Sequence, residues 1–328
     1  MPDSDSNCTP TAALTHRSRW ETLRRWYDTR AAGEPSDPRR AERIDWLRAA
    51  PFVLLHLGCI AVVWTGVSAI ALVVAAGAYA VRMFALTAFY HRGFSHRTFR
   101  APRAVQLVFA LIGAACVQRG PLWWAAHHRN HHRTADTPRD LHSPGIHGFL
   151  WSHMGWFLTP AAFRTDLRQV PDLARYPELR WLDRFDVAVP VIFAAATYAL
   201  GALLHRIDPR LQTTGPQMLV WGFFISTVVL FHATVTINSL AHRYGSRRFA
   251  TPDDSRNNLW LALLTFGEGW HNNHHGFPGC ARQGFLWWEI DVTWYGLRLM
   301  AALGLVHHLK PLPAKVLARW GAERCASP

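Results

Sequence analysis

Long apolar stretches alternate with blocks rich in arginine and histidine along this chain. Residues 49–81 hold no Asp, Glu, Lys or Arg. As one helix they would reach about 50 Å, against a bilayer hydrocarbon core of about 30 Å. The run Trp64-Thr-Gly-Val-Ser68 supplies a turn in the middle. The pattern therefore predicts two spans, near 49–64 and 68–90. Arg82 falls inside the second and is expected to snorkel or pair near the interface. Residues 187–204 are uncharged for 18 positions and residues 217–241 for 25, with His232 the one titratable group in the latter. A polar connector, 205–217, joins them into a second hairpin. The stretch 104–117 is apolar but too short to cross, so it is read as an interfacial or protein-buried helix.

The expected architecture is an all-α integral membrane protein with four transmembrane helices in two hairpins and a histidine-rich helical cap. Residues 1–48 form a polar, partly disordered N-terminal segment, 49–310 the membrane domain with its cap, and 311–328 a tail.

Composition sharpens this. Half of the 328 residues are hydrophobic, yet the formal charge is +13, and its only lysines are Lys310 and Lys315. Lys plus Arg number nine in 1–49, thirteen in 91–185 and ten in 241–328, but two in the connector 205–217. That bias places both termini and the large polar blocks on the cytoplasmic side, at an inner membrane in a bacterium. It also accounts for the charge without nucleic acid, for which the chain offers neither zinc-finger spacing nor a Gly-rich phosphate loop. The five cysteines are scattered and odd in number, with no CxxC, which fits a reducing or membrane setting.

Nineteen histidines are present, and most lie in those polar blocks. His91 and His96 follow the second span in "HRGFSH". His128, His131 and His132 stand in "HRNHH". His242 closes "NSLAH" where the fourth span ends. His271, His274 and His275 stand in "GEGWHNNHHGFP". Residues at i and i+3 or i+4 share a helix face, so each cluster can converge. Nine imidazoles at one side of two hairpins are too many for packing alone and suit more than one transition metal, since imidazole binds iron, zinc, copper and nickel. Glu268 is read as an acceptor that orients a ring N–H behind the ligands. His127 doubles its box and is set apart from the ligands. His56, His205 and His232 read as packed or interfacial. His142, His147, His153, His307 and His308 stay open.

The boxes HxxxxH, HxxHH and HxxHH, with "SHMGW" and "NSLAHRYG" in the same order, resemble the membrane fatty acyl desaturases, in particular the Δ9 acyl-CoA (stearoyl-CoA) branch. The likeness runs from about residue 75 to about 310. It implies two non-haem irons on His91, His96, His128, His131, His132, His242, His271, His274 and His275, with Asn238 reaching one metal through a water. It implies O2 as co-substrate and a cis double bond in a saturated acyl chain. It places Trp124, Gln118 and Thr234 at the bend of an acyl tunnel, and Tyr79 and Met83 near its end. Read alone, Trp124 and Tyr79 would pass as interface or packing aromatics.

Two departures matter. Animal members carry Arg-Asp before the second box, where the arginine helps hold the CoA end; here the pair is Ala126-His127. Phospholipid-bound chains are therefore an alternative to acyl-CoA. No His-Pro-Gly-Gly haem motif is present, so electrons are expected from a separate ferredoxin- or flavin-type donor. Arg119, Arg168 and Arg175 are candidates for a CoA or lipid phosphate. Two rivals remain. A membrane hydroxylase would use similar boxes, though "NSLAHRYG" favours desaturation. A metal transporter would carry its ligands within the spans, whereas these clusters lie beyond the span ends.

Overall fold

The computed structural model describes residues 19–31, 43–314 and 316. The disorder expected near the N-terminus, most of the tail, Cys8 and Cys325 lie outside the described residues. Within them the protein is built of helices, and β-pairing is limited to isolated bridges such as Arg100 with His307.

A short helix α1 (Arg19–Tyr27) precedes the first apolar one. Among the described residues, four helices are long and apolar enough to cross a membrane: α2 (Trp46–Thr65), α3 (Ala69–Ser95), α7 (Ala188–Ile207) and α8 (Gly215–Ser239). Each predicted span falls on one of them. Asp45 caps α2 by accepting from the Arg48 N–H, and Ser68 caps α3 through the Ala71 N–H. Gly66, at φ +66, makes the turn between them. The stretch expected to be too short to cross is α4 (Arg103–Ala114). Gly113 lets α4 approach α3 closely: a Cβ there would lie 2.1 Å from the Tyr90 ring.

The other elements cap one end of the bundle. They include α5 (Pro121–Thr134), α6 (Pro177–Arg184), α9 (Leu259–Leu264), α10 (His271–Gly276) and α11 (Val292–Ala302). Helix α3 runs on past its predicted end near 90, and its last 11 residues, Ala85–Ser95, are π-helical. Such widened turns are frequent at functional sites. This one carries His91 into the protein interior, where it is buried.

Arg82 departs from expectation. Because α3 continues to Ser95, the side chain is too deep to snorkel. It is buried and bonds inward instead, to the Ala78 and Ala115 carbonyls and to the Ser226 and Thr227 hydroxyls. A cation in an apolar bundle must be satisfied in this way, and the result ties α3 to α4 and α8.

Candidate metal centre

The histidine clusters reach one place from four elements. His91 and His96 come from the π-helical end of α3, and His128, His131 and His132 from α5. His242 follows α8, and His271, His274 and His275 come from α10. The chain enters α10 through two constrained glycines. Gly267 has φ +121 beside Asp291, and a Cβ on Gly269 would meet the Ala262 nitrogen at 2.1 Å.

The nine side chains sort into two groups. His91, His96, His128, His132 and His274 form one, and His131, His242, His271 and His275 the other; within each, the ligand atoms lie within 4.8 Å of one another. Nε2 atoms face each other in pairs: His91 with His274 at 3.0 Å, His96 with His128 at 2.7 Å, His132 with His274 at 2.9 Å, and His242 with His271 at 3.0 Å. The groups adjoin, since the His132 and His275 rings are 4.4 Å apart.

Carboxylates stand behind the rings. Asp136 takes Nδ1 of His242 at 2.7 Å, Asp140 takes His131 at 3.1 Å, and Asp253 takes His275 at 2.8 Å. Glu268 pairs with Nδ1 of His91 and with Arg92. Burial alone would raise these carboxyls, but the facing histidines, and Arg92 at Glu268, hold all four below their ordinary values, Asp136 at about 2. They are therefore ionised and can only accept. Each ring must donate from Nδ1, which leaves its Nε2 lone pair pointing inward.

Burial, with mutual repulsion among the rings, pushes His96, His128, His132, His271 and His274 well below the usual imidazole range. Burial likewise lowers His275 to about 4. Neutral rings are what a metal requires. Nε2 of His275 is buried without a hydrogen-bond partner. An orphaned lone pair facing other lone pairs fits a cation at the centre, and the all-nitrogen donor sets suit a transition metal.

A cavity of about 800 Å³ runs alongside. His128 lines it, as do Trp124, Gln118, Thr234 and Asn238. The Gln118 amide donates to Thr234 at 3.1 Å. The far end is apolar, walled by Gly58, Phe223 and Phe224. Tyr79 and Met83 do not line it. The Tyr79 hydroxyl donates to the Leu264 carbonyl, and Met83 is fully buried in the core with Phe89 and Leu122. Arg119 lines the cavity, whereas Arg168 pairs with Asp166 and Arg175 meets the Tyr176 hydroxyl, both outside it.

Sequence reasoning missed the carboxylates Asp136, Asp140 and Asp253. A signal existed: acidic residues follow the second and third clusters in "TADTPRD" and "TPDDS". His142 also finds a place, pairing with Asp140 at 2.9 Å and lining the cavity. His127 lies against Trp123 with ring centroids 4.4 Å apart, outside both histidine groups. His56, His232 and His153 form a separate chain of hydrogen bonds, each link 3.0 Å.

Four apolar helices beneath two carboxylate-backed histidine groups define a membrane protein with a candidate dinuclear metal centre. The chain belongs to the fatty acid desaturase family, whose model matches residues 68–311. It is accordingly an oxidoreductase. It is 39% identical over 229 residues to an sn-2 palmitoyl-lipid 9-desaturase of Nostoc sp. (strain 36), covering 68% of this chain and 75% of that protein. It is 35% identical over 271 residues to an sn-1 stearoyl-lipid 9-desaturase of Anabaena variabilis, covering 82% and 94%. Similarity extends to an acyl-CoA 5-desaturase of Anemone leveillei, 39% identical over 240 residues, covering 72% and 70%.

Proposed function

We propose that this protein inserts a cis double bond, at the Δ9 position, into a saturated acyl chain, using O2 and a histidine-held di-iron centre. The observation that carries the reading is His128, which belongs both to the five-histidine group and to the cavity wall. A chain lying in the cavity therefore passes directly beside the metal ligands.

The reaction must break two unactivated C–H bonds, which no side-chain acid or base can do. An iron pair held by the nine histidines would supply the O2-dependent oxidation. The two hydrogens leave the chain, and with two electrons and two protons they complete the reduction of O2 to two waters. The electrons come from a separate ferredoxin- or flavin-type donor, for which a basic surface is a suitable dock.

The protein's own residues do the positioning. Carboxylates Asp136, Asp140, Asp253 and Glu268 fix ring orientation. Asn238, beside the ligands in the cavity wall, is suited to reach a metal through water. Trp124 and the Gln118–Thr234 pair shape the cavity at the depth of His128, which sets the methylenes that react. The apolar lining excludes water and recognises no polar group on the chain. The positive-inside bias puts the metal end on the cytoplasmic side. Acyl-CoA and phospholipid-bound chains both suit this chemistry, and the relatives' names include both CoA and lipid carriers.

The test is expression with a reductase in a host lacking unsaturase activity, followed by gas chromatography–mass spectrometry with mapping of alkene position. A new monoene is expected. A hydroxy lipid would instead assign a hydroxylase, and no lipid change from iron-loaded protein would refute both. His274→Ala should abolish activity and lower bound iron; full activity would remove its ligand role.

A further inference from the structure

Two cap helices turn apolar side chains outward while the acidic residues around them turn inward. On α9, Leu259, Trp260, Leu263 and Leu264 are exposed, Trp260 by 77%. On α11, Val292, Tyr295 and Leu299 are exposed along one face, Leu299 by 62%, whereas Leu297 and Met300 pack into the core on the other. Trp287 and Trp288, in the loop before α11, are exposed as well. Three acidic residues fall between 259 and 303, and all are buried on arginines: Glu268 and Asp291 on Arg92, and Glu289 on Arg248. A water-facing helix shows the reverse pattern, with its polar side out.

Helix α3 gives the depth of these elements. It starts at the surface far from the metal site, where the Ser68 hydroxyl bonds Thr213 in the connector between α7 and α8. Tyr79 stands about 15 Å along α3 from that start, near the middle of a hydrocarbon core about 30 Å thick. A helical side chain leans toward the helix N-terminus, so the Tyr79 hydroxyl lies no nearer the metal side than its backbone. That hydroxyl donates to the Leu264 carbonyl, which sets the end of α9 well inside the hydrocarbon. Helix α11 crosses α3 nearer the metal side. Thr293 bonds Thr87 at 2.7 Å, and a Cβ on Gly296 would lie 2.3 Å from the Phe84 ring. Phe84 stands about 22 Å along α3, still within the core.

The backbone meets the demand that lipid makes. In hydrocarbon an irregular turn must satisfy its own polar groups. Phe266 at φ +58 and Gly267 at φ +121 make the turn after α9. The Thr265 N–H donates to the Leu261 carbonyl, the Gly267 N–H to Ala262 and the Thr293 N–H to Phe266. The Leu264 carbonyl has the Tyr79 hydroxyl. On a wet surface, water would serve a carbonyl in so exposed a segment.

We propose that α9, the turn after it and the outer face of α11 form a re-entrant element, sunk in the leaflet on the metal side with lipid acyl chains as its partner. Its apolar face continues that of α3 through Tyr79 and Phe84. Trp287 and Trp288 suit the boundary between lipid and water. Arg298, the only charged residue of α11, reaches that boundary along its own apolar stem. Tyr79 is the latch that holds the tip of α9 to α3. Because His271 follows the turn directly, the same element sets the depth of α10 against α3.

The test uses the full chain, iron-loaded, in phosphatidylcholine vesicles. One arm carries a phosphatidylcholine with a diazirine near mid-chain, the other a water-soluble diazirine on both sides of the membrane. After irradiation, labelled residues are mapped by mass spectrometry. Val73 and Val81, exposed on α3, are the lipid-side standard, and Arg168, with its side chain 91% exposed, is the water-side standard. Trp260, Leu263 and Leu299 should label from lipid as strongly as the α3 standard and stay unlabelled from water. Labelling from water alone would overturn the proposal. Protection from both reagents would assign the face to a second copy of the chain and overturn it equally. Trp260→Lys should weaken lipid labelling of α9 and lower the Tm in vesicles, because a cation in hydrocarbon is costly. On a wet surface that lysine would be neutral, so unchanged labelling and Tm would also defeat insertion. Tyr79→Phe should lower the Tm by stripping the Leu264 carbonyl of its partner; an unchanged Tm would mean that water serves that carbonyl and the tip of α9 lies outside lipid.

Discussion

Nδ1 of His242 donates to Oδ2 of Asp136 at 2.7 Å, joining residues 106 positions apart. Asp136 also accepts from the Asp254 N–H and the Ser143 hydroxyl. Its carboxylate is therefore held still, and it holds His242 with its Nε2 lone pair toward His271. Asp136→Asn would remove the charge and allow the ring to take the other tautomer. We expect about 10–100-fold weaker metal binding in the group of His131, His242, His271 and His275, with the five-histidine group retained. Metal analysis after graded chelation checks this; release indistinguishable from wild type would deny Asp136 its orienting role.

The metal-free protein should lose stability in mild acid. Burial lowers both His127 and His275 to about 4, whereas unfolded histidine titrates near 6.5. Between those values the unfolded chain binds more protons than the folded one, so stability falls as pH falls. It is fully present above about pH 6.5 and declines toward about pH 4. Thermal unfolding in detergent across that range should show a falling Tm, and a flat or rising Tm in the acid limb would contradict the burial argument.

Met83 and Gly58 should separate stability from chain length. Met83 packs in the core and does not line the cavity, so Met83→Ala should cost about 2–5 kcal/mol and leave the product profile unchanged. At Gly58 a Cβ would sit 2.4 Å from the Phe224 ring, at the apolar end of the cavity. Gly58→Leu should therefore shift products toward shorter chains. A profile that responds to Met83 and not to Gly58 would return the chain end to α3.

Arg82 should behave as a structural cation. Arg82→Met nearly keeps the volume but strips the donors from the Ala115 carbonyl and the Ser226 and Thr227 hydroxyls. A loss of about 3 kcal/mol is expected, read as a lower Tm in detergent. An unchanged Tm would mean that water replaces the guanidinium.

Much of this protein was legible before folding. Charge-free runs mark membrane-crossing helices because bilayer length and the cost of charge act on the linear chain. The spacings HxxxxH and HxxHH place imidazoles on single helix faces, which is a local property. The sequence could not divide nine histidines into five and four, because that partition depends on how α3, α5 and α10 meet. It offered acidic residues after two of the clusters but could not assign Asp136 to His242 or Asp253 to His275, since those contacts join distant segments. It also misjudged depth: a span continued by a π-helical stretch buries Arg82 and keeps Met83 in the core. The cavity beside the metal site has no signature in the chain at all. Leu54 and Val191 lie in charge-free runs like any other span residue, and only helix packing decides that they also line a cavity beside the metal site.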